Sequence, residues 1–418
     1  MSIGYACLGI GIPNTSFRSC IQKNASPENL HEIIGSNLEA LYNLLEYNKK
    51  KGIQLFRISS DLIPFGSSQV NTLDWTFDFR EKWEKLGILI ETSNFRVSMH
   101  PGQYTVINSP RPEVVERAVD DLIYHEKVLS NLSTNSSHKI ILHIGGAYGD
   151  KPLAIERFSQ NYEKLPDLVK ARLVIENDDR IYNIEEVLSL GEELGIPVVF
   201  DNLHHRVNPP KEEKSENYWI LKAGESWGSK DGNQKIHYSQ ENQQKRQGAH
   251  SETINLEEFL VFYNGLLVPQ PDIMLEVKDK NLSAVKCING ISVDGKIGVL
   301  EEEWALYKYN VLEHSPVIYQ EIRNLLKDKN NYPVQDFYQL IDSGMATEGN
   351  IGTQINALQH VWGYFKDKAS EKEKLSMTKW MEDFKNGKVA ISFMKKKLYR
   401  LALKYEATYL SNSYFFLI

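Results

Sequence analysis

FRVSMH (residues 95–100), KIILH (139–143), RLVIE (172–176), IPVVFD (196–201), KIH (235–237) and DIMLE (272–276) are short apolar runs that each close on a side chain able to ligate a metal. The closing residues are His100, His143, Glu176, Asp201, His237 and Glu276, spaced 25 to 43 residues apart. One such run means little, since a lone His or Glu at a strand end is usually just a solvated turn. Six in series point to buried parallel strands whose carboxyl ends gather at one rim. A parallel β/α barrel has that geometry, and its chemistry sits at the carboxyl ends of the strands.

The rest of the first 300 residues fits this frame. Strands are expected near 3–8, 53–58, 95–100, 139–143, 172–176, 196–201, 235–238 and 272–277, each rich in β-branched and apolar residues. Helical periodicity fills the intervals at 27–51, 112–131, 183–194 and 254–267, with Ser26 as a cap and Pro27 in the first turn. Eight alternations over this length predict an α/β fold, a (β/α)8 TIM barrel. A doubly wound open sheet is the structural alternative, but GIGIP after the first strand lacks dinucleotide-loop spacing. The polar stretch from Asn202 to Gln234 reads as a long functional or mobile loop. Beyond the acidic Glu301, Glu302 and Glu303 the chain reads as helical, so residues 1–300 are expected to form the barrel and 301–418 a helical accessory domain.

Composition narrows the class. At 418 residues, two domains are the default. No stretch approaches the apolar length of a membrane span, and MSIGYACLGIG has no basic flank of a signal peptide. Cys7, Cys20 and Cys287 are too few and too scattered for a disulfide framework or a thiolate zinc site, which fits a reducing, cytoplasmic setting. Residues 1–300 carry 32 Lys and Arg against 40 Asp and Glu, and 301–418 carry 16 against 15. An acidic barrel is what a carboxylate-rich metal site leaves behind. The stretch from Lys385 to Lys404 holds seven Lys or Arg and no acid, which reads as a charged helix face or an extension of a polyanion footprint.

Imidazoles and carboxylates without thiolates suit manganese, zinc or iron, and a carboxylate can bridge neighbouring ions. His100 and His143 end consecutive strands, Glu176 and Glu276 are candidate bridges, and Asp201 with His204 could chelate across a turn. Paired ions serve hydrolysis at phosphorus. Lys235, two residues before His237 on the same strand face, is directed at the cluster to meet a phosphate or join the metal shell. Arg57 either clamps phosphate or forms an ion pair inside the barrel. Tyr5 ends the first strand and either stacks at the mouth or packs in the core.

Two loops suit a polynucleotide. HPGQY (100–104) sets Gln103 and Tyr104 on a sharp turn directly after a metal ligand, as wedge residues are set in proteins that kink or flip bases. SQENQQKRQGAH (239–250) offers Lys245, Arg246 and His250 to phosphates. A metal-dependent sugar isomerase or epimerase would also build such a cluster, but gives no reason for an exposed Gln-Tyr loop. A metal-free DNA-binding protein gives no reason for the ligands.

The segments FRISSDLIPFGS (56–67), SMHPGQYTVINSP (98–110), ILHIGGAYGDK (141–151), LVIENDDR (173–180), VVFDNLHH (198–205), KIHYSQ (235–240), KRQGAH (245–250) and MLEVKDK (274–280) run through nearly the whole barrel. Through them the chain resembles the UV damage endonuclease family, barrel relatives of the metal-dependent apurinic endonucleases. That resemblance implies a repair enzyme acting on damaged double-stranded DNA, and the chain is expected to be a monomer. It implies a nick immediately 5′ to cyclobutane pyrimidine dimers, 6–4 photoproducts and abasic sites, leaving a 3′-hydroxyl and a 5′-phosphate. It implies two or three divalent ions, commonly manganese with zinc, magnesium or cobalt as substitutes, held by His100, His143, Glu176, Asp201, His204, His237 and Glu276. Gln103 and Tyr104 would probe the lesion, and Tyr5 and Lys235 would lie by the scissile phosphate. Some members carry a His where this chain has Ser68, so a third ion would be weakly or differently held. Residues 350–416 resemble a small helical domain of unknown role found in other bacterial proteins.

Overall fold

In the computed structural model, which describes residues 1–267 and 269–418, eight short strands alternate with helices. They are β1 (Ile3–Cys7), β2 (Leu55–Ile58), β3 (Arg96–Met99), β4 (Ile140–His143), β5 (Leu173–Glu176), β6 (Val198–Asp201), β7 (Lys235–Tyr238) and β8 (Asp272–Leu275). All pair in parallel in chain order, and β8 returns to β1, so the sheet closes into the expected barrel.

Side chains alternate between lumen and helix layer, as the two-residue period of a strand requires. Ala6, Leu55 and Met274 pack together in the lumen, as do Ile141, Val174 and Val199, so the barrel is a filled core. Trp227 packs on the second cluster and donates its indole N–H to Val198 O at 2.8 Å. Gly4 is forced by closeness, because a Cβ there would lie 1.9 Å from Leu55 O. The opposite faces carry Phe56, Val97, Leu142, Ile175, Phe200, Ile236 and Ile273, all buried.

The helix Pro27–Lys50 shows why the outer layer forms. Ser26 accepts from Asn29 N, Pro27 occupies the first turn, and Leu30, Ile33, Ile34, Leu38, Leu41, Leu44 and Leu45 make one buried stripe. The stretch expected as a long loop after β6 is largely helical instead. Asn202–Val207 continues directly from β6 with Asp201 as its cap, and Ser215 caps Glu216–Glu225. Its charged composition belongs to short amphipathic helices, which a polar loop resembles in sequence.

The chain divides into two compact units. Met1–Gly9, Asn14–Ile254 and Val261–Ile288 form the barrel unit, and Ile10–Pro13, Asn255–Leu260 and Asn289–Ile418 form the helical unit. The change falls at Ile288–Asn289, in the last turn of the helix Asn281–Gly290, ahead of the boundary expected near 300. The helical unit has its own core, with Leu312, Leu358, Val361, Met377, Met394, Leu398 and Phe415 packed together. No helix among the described residues is long and apolar enough to cross a membrane.

Candidate metal centre

Register brings the strand-end ligands to one level. His143 lies opposite Glu176 across β4 and β5, and Asp201 opposite His237 across β6 and β7. His100 and Glu276 each follow the last residue of their strands. Glu176 stands at the centre. Its Oε2 is 3.1 Å from His100 Nε2 and 3.8 Å from His143 Nε2, while its Oε1 is 2.7 Å from His237 Nδ1 and 3.8 Å from His204 Nδ1. Glu276 Oε1 lies 3.4 Å from His237 Nδ1. Two groups, His100–His143–Glu176 and Glu176–Asp201–His237, each have their ligand atoms within 4.8 Å of one another. Glu176 belongs to both.

The electrostatics fit cations. Burial alone would raise the Glu176 carboxyl, but His237, His143 and His100 hold it well below the usual range. Burial works against a charged His204 too, yet Asp201, Glu176 and Glu276 push it up to about 9. His143 goes the other way, lowered by burial to about 4, so its imidazole is neutral and ready to ligate near pH 7. Asp201 Oδ2, His237 Nε2 and His143 Nδ1 are buried without any hydrogen-bond partner, a costly condition that a bound cation relieves for the first two. Backbone carbonyls orient two rings. His100 Nδ1 meets Pro101 O at 3.0 Å and His204 Nδ1 meets Asn177 O at 2.9 Å, which turns His100 Nε2 toward Glu176 Oε2 in the cluster. The donor set of imidazole nitrogen and carboxylate oxygen therefore suits divalent ions.

Several expected roles move. Tyr5 faces the helix layer: it is fully buried, donates its hydroxyl to Asn48 Oδ1 at 2.9 Å and lies edge-on to Phe56. It packs, and does not reach the mouth. Lys235 shares the lumen face with His237 but sits two residues nearer the amino-terminal end, fully buried, with Nζ unpaired and among Arg96, Asp272, Arg57 and Lys139. Its side chain is fully buried and offers no open surface at the mouth. Arg57 is the ion pair of the two readings, its Nη1 held by Glu276 Oε1. His250, expected on phosphate, approaches the cluster instead, with Nε2 at 3.8 Å from Glu276 Oε2. Lys245 is exposed and paired with Glu252 at 2.6 Å, whereas Arg246 is exposed and without a partner among the described residues. Gln103 and Tyr104 are exposed at the rim, Tyr104 by 70%.

Other contributors were missed in the sequence. Asn177, directly after Glu176, exchanges hydrogen bonds with the Asp201 backbone at 2.9 and 3.1 Å, besides orienting His204. The polar doublet after an apolar run (IEN) was its only signal. His125, buried in the helix Pro112–Asn131, lies 2.9 Å from Ser60 Oγ, which donates to His100 O at 2.9 Å. A His on an apolar helix face carries no sequence signal of that kind. Beside the cluster a cavity of about 370 Å³ opens between Gly102, Gln103, His143, Tyr148, Asp178 and His204.

Comparison with known proteins agrees with this geometry. The model of the family described as UV-endonuclease UvdE matches residues 4–304, and that of a protein of unknown function (DUF1722) matches 308–418. A UV DNA damage endonuclease of Clostridium perfringens (strain 13 / Type A) is 38% identical over 404 residues, 95% of this chain and 97% of the relative. One of Bacillus cereus (strain B4264) is 36% identical over 281 residues, 66% of this chain and 87% of that protein. The crystal structure of SacUVDE superposes with a TM-score of 0.65 at 35% identity, covering 72% of this chain and 99% of SacUVDE. With an imidazole–carboxylate cluster at the rim of a closed barrel, and these matches across nearly its whole length, the chain belongs to the UV DNA damage endonuclease family.

Proposed function

We propose that this endonuclease nicks DNA immediately 5′ to cyclobutane pyrimidine dimers and 6–4 photoproducts, and also at abasic sites, leaving a 3′-hydroxyl and a 5′-phosphate. The observation that carries the reading is Glu176, shared by two ligand groups at the rim within one loop of the exposed Gln103 and Tyr104. His100, His143, Glu176, Asp201, His204, His237 and Glu276 would hold two or three divalent ions, with manganese favoured, and His250 is placed to assist Glu276. Bound there, such ions supply activated water and charge neutralisation at the departing oxygen.

The chain's own residues do the rest. The buried carboxylates fix the imidazoles, so little reorganisation is needed when charge develops. Gln103 and Tyr104 enter the opened stack, which selects duplexes that already kink easily. Water oxygen bonds to phosphorus as the bond to O3′ breaks, and O3′ leaves with a proton.

A labelled duplex with one thymine dimer, incubated with Mn²⁺ or with chelator, tests the reading. A single cut 5′ to the dimer, extendable by polymerase from its 3′-hydroxyl and abolished by chelator, is expected. Equal cutting of the undamaged duplex, or undiminished cutting in chelator, contradicts it.

A further inference from the structure

Resting on that reading, we infer that Asp121 and His125 are positioning residues. One turn of the helix Pro112–Asn131 holds both feet of the turn that carries Gln103 and Tyr104, and ties it to the metal ligand His100. That turn is closed by Thr105 N–H, which donates to Gly102 O at 2.9 Å, so Gln103 and Tyr104 occupy its two corners. The Tyr104 ring backs onto Gly102, where a Cβ would lie 2.5 Å from its Cε1. On either side of the turn the chain is buried at once, at Pro101 and Thr105.

The leaving foot is held directly, because Thr105 Oγ1 donates to Asp121 Oδ2 at 2.6 Å. The entering foot is held through a relay. Ser60 Oγ donates to His100 O at 2.9 Å and lies 2.9 Å from His125 Nε2. His125 Nδ1 donates to Asp121 O at 2.6 Å, so the two holds meet on residues one helical turn apart. Tyr124, between them, fixes Ser60 in place: its hydroxyl donates to Ser60 O at 2.9 Å and accepts Ile63 N–H at 3.2 Å. Asp121, Tyr124 and His125 are all buried. Burying a carboxylate and an imidazole is costly without partners. A helix that had only to pack would present apolar side chains there, as this one does at Ala118, Leu122, Val128 and Leu129. Both polar groups go instead to the feet of an exposed turn. A side chain pushed into a base stack discriminates only if it does not yield, and a loose turn would have to be ordered at every encounter. Pinning both feet removes that freedom, and the link to His100 keeps the wedge at a fixed distance from the cluster.

A double-mutant cycle in the full-length enzyme tests this. It is read as the ratio of kcat/KM on a thymine-dimer duplex to that on the undamaged duplex, with Mn²⁺ titration alongside. Thr105→Val, which keeps the shape and removes the hydroxyl, should lower the ratio about tenfold with Mn²⁺ affinity unchanged, and Thr105→Ser should restore it. In a Tyr104→Ala background the same Thr105→Val change should lower the ratio no further, because the wedge it positions is gone. Ser60→Ala frees the other foot. It should lower the ratio and also weaken Mn²⁺ binding through His100, and it carries the cycle if Thr105→Val does not fold. Equal losses in both backgrounds, or a ratio unaltered by Thr105→Val and Ser60→Ala, mark bonds that only stabilise the fold and overturn the inference alone. A wild-type enzyme without dimer-specific nicking overturns the proposed function and the inference with it.

Discussion

Asn177→Ala is the substitution that best separates a support from a ligand. Asn177 belongs to neither ligand group, yet its side chain ties the Asp201 backbone at 2.9 and 3.1 Å. Losing such a partner typically costs about 10–100-fold in metal affinity. Titration of the apoenzyme with Mn²⁺ should show a loss of that size, and an unchanged affinity would remove Asn177 from the account. Tyr104→Ala should do the reverse, because a side chain 70% exposed supports little structure. Metal content and thermal stability should hold, while the ratio of dimer to undamaged nicking falls. A proportional loss on both substrates would deny Tyr104 a probing role. These residues differ in how legible they were. His100, His143, Glu176, Asp201, His237 and Glu276 stand out by repetition, because six apolar runs in series that each close on a ligand-type side chain are not explained by solvated turns. Tyr5 and Lys235 did not, because alternation assigns a face but not whether that face ends in the helix layer or below the cluster.

Strands and their joints carry their own consequences. Gly4 meets β2 so closely that Gly4→Ala forces β1 from Leu55, and a loss of about 1–3 kcal/mol or more is expected in urea unfolding. Wild-type stability in that variant would show that the contact relaxes freely. His138, which precedes β4, accepts Val97 N–H at 3.1 Å, and burial, with Lys235, Arg172 and Arg96 nearby, pushes it down to about 3. The folded imidazole is neutral where the unfolded one takes up a proton near pH 6.5. The unfolded chain therefore binds more protons between those two values, and stability falls as pH drops through that window. Between pH 7 and 5 this group contributes a loss on the order of 2 kcal/mol. His138→Gln, which keeps an acceptor for Val97, should remove that part of the pH dependence, and parallel wild-type and variant curves would contradict the assignment. Strand positions were readable from apolar runs closed by polar residues. The region after β6 was not, because short helices with a charged face share their composition with loops.

Strand–helix alternation carries no sign that Ile10–Pro13 and Asn255–Leu260 belong to the helical unit, because they join it through contacts distant in sequence. The basic stretch after Lys385 is largely engaged within that unit. Lys395 pairs with Glu313 at 2.7 Å, Lys404 with Glu373 at 2.6 Å, and Lys397 lies over Trp380. A charged helix face is thus the better of its two readings. Converting Lys396 and Arg400 to Ala in the full chain should leave the salt dependence of DNA affinity unchanged, and a slope reduced by about two would restore the stretch to the footprint. What the fold achieves as a unit is to bring six distant strand ends to one rim, where two ligand groups share Glu176 and could hold cations. Metal per chain, counted by native mass spectrometry alongside dimer nicking for wild type and His237→Ala, reads this out. At least two ions and a dimer-specific nick are expected in the wild type, with both lost or reduced together in His237→Ala. A variant that keeps its full complement of ions and its nicking rate would contradict the shared centre.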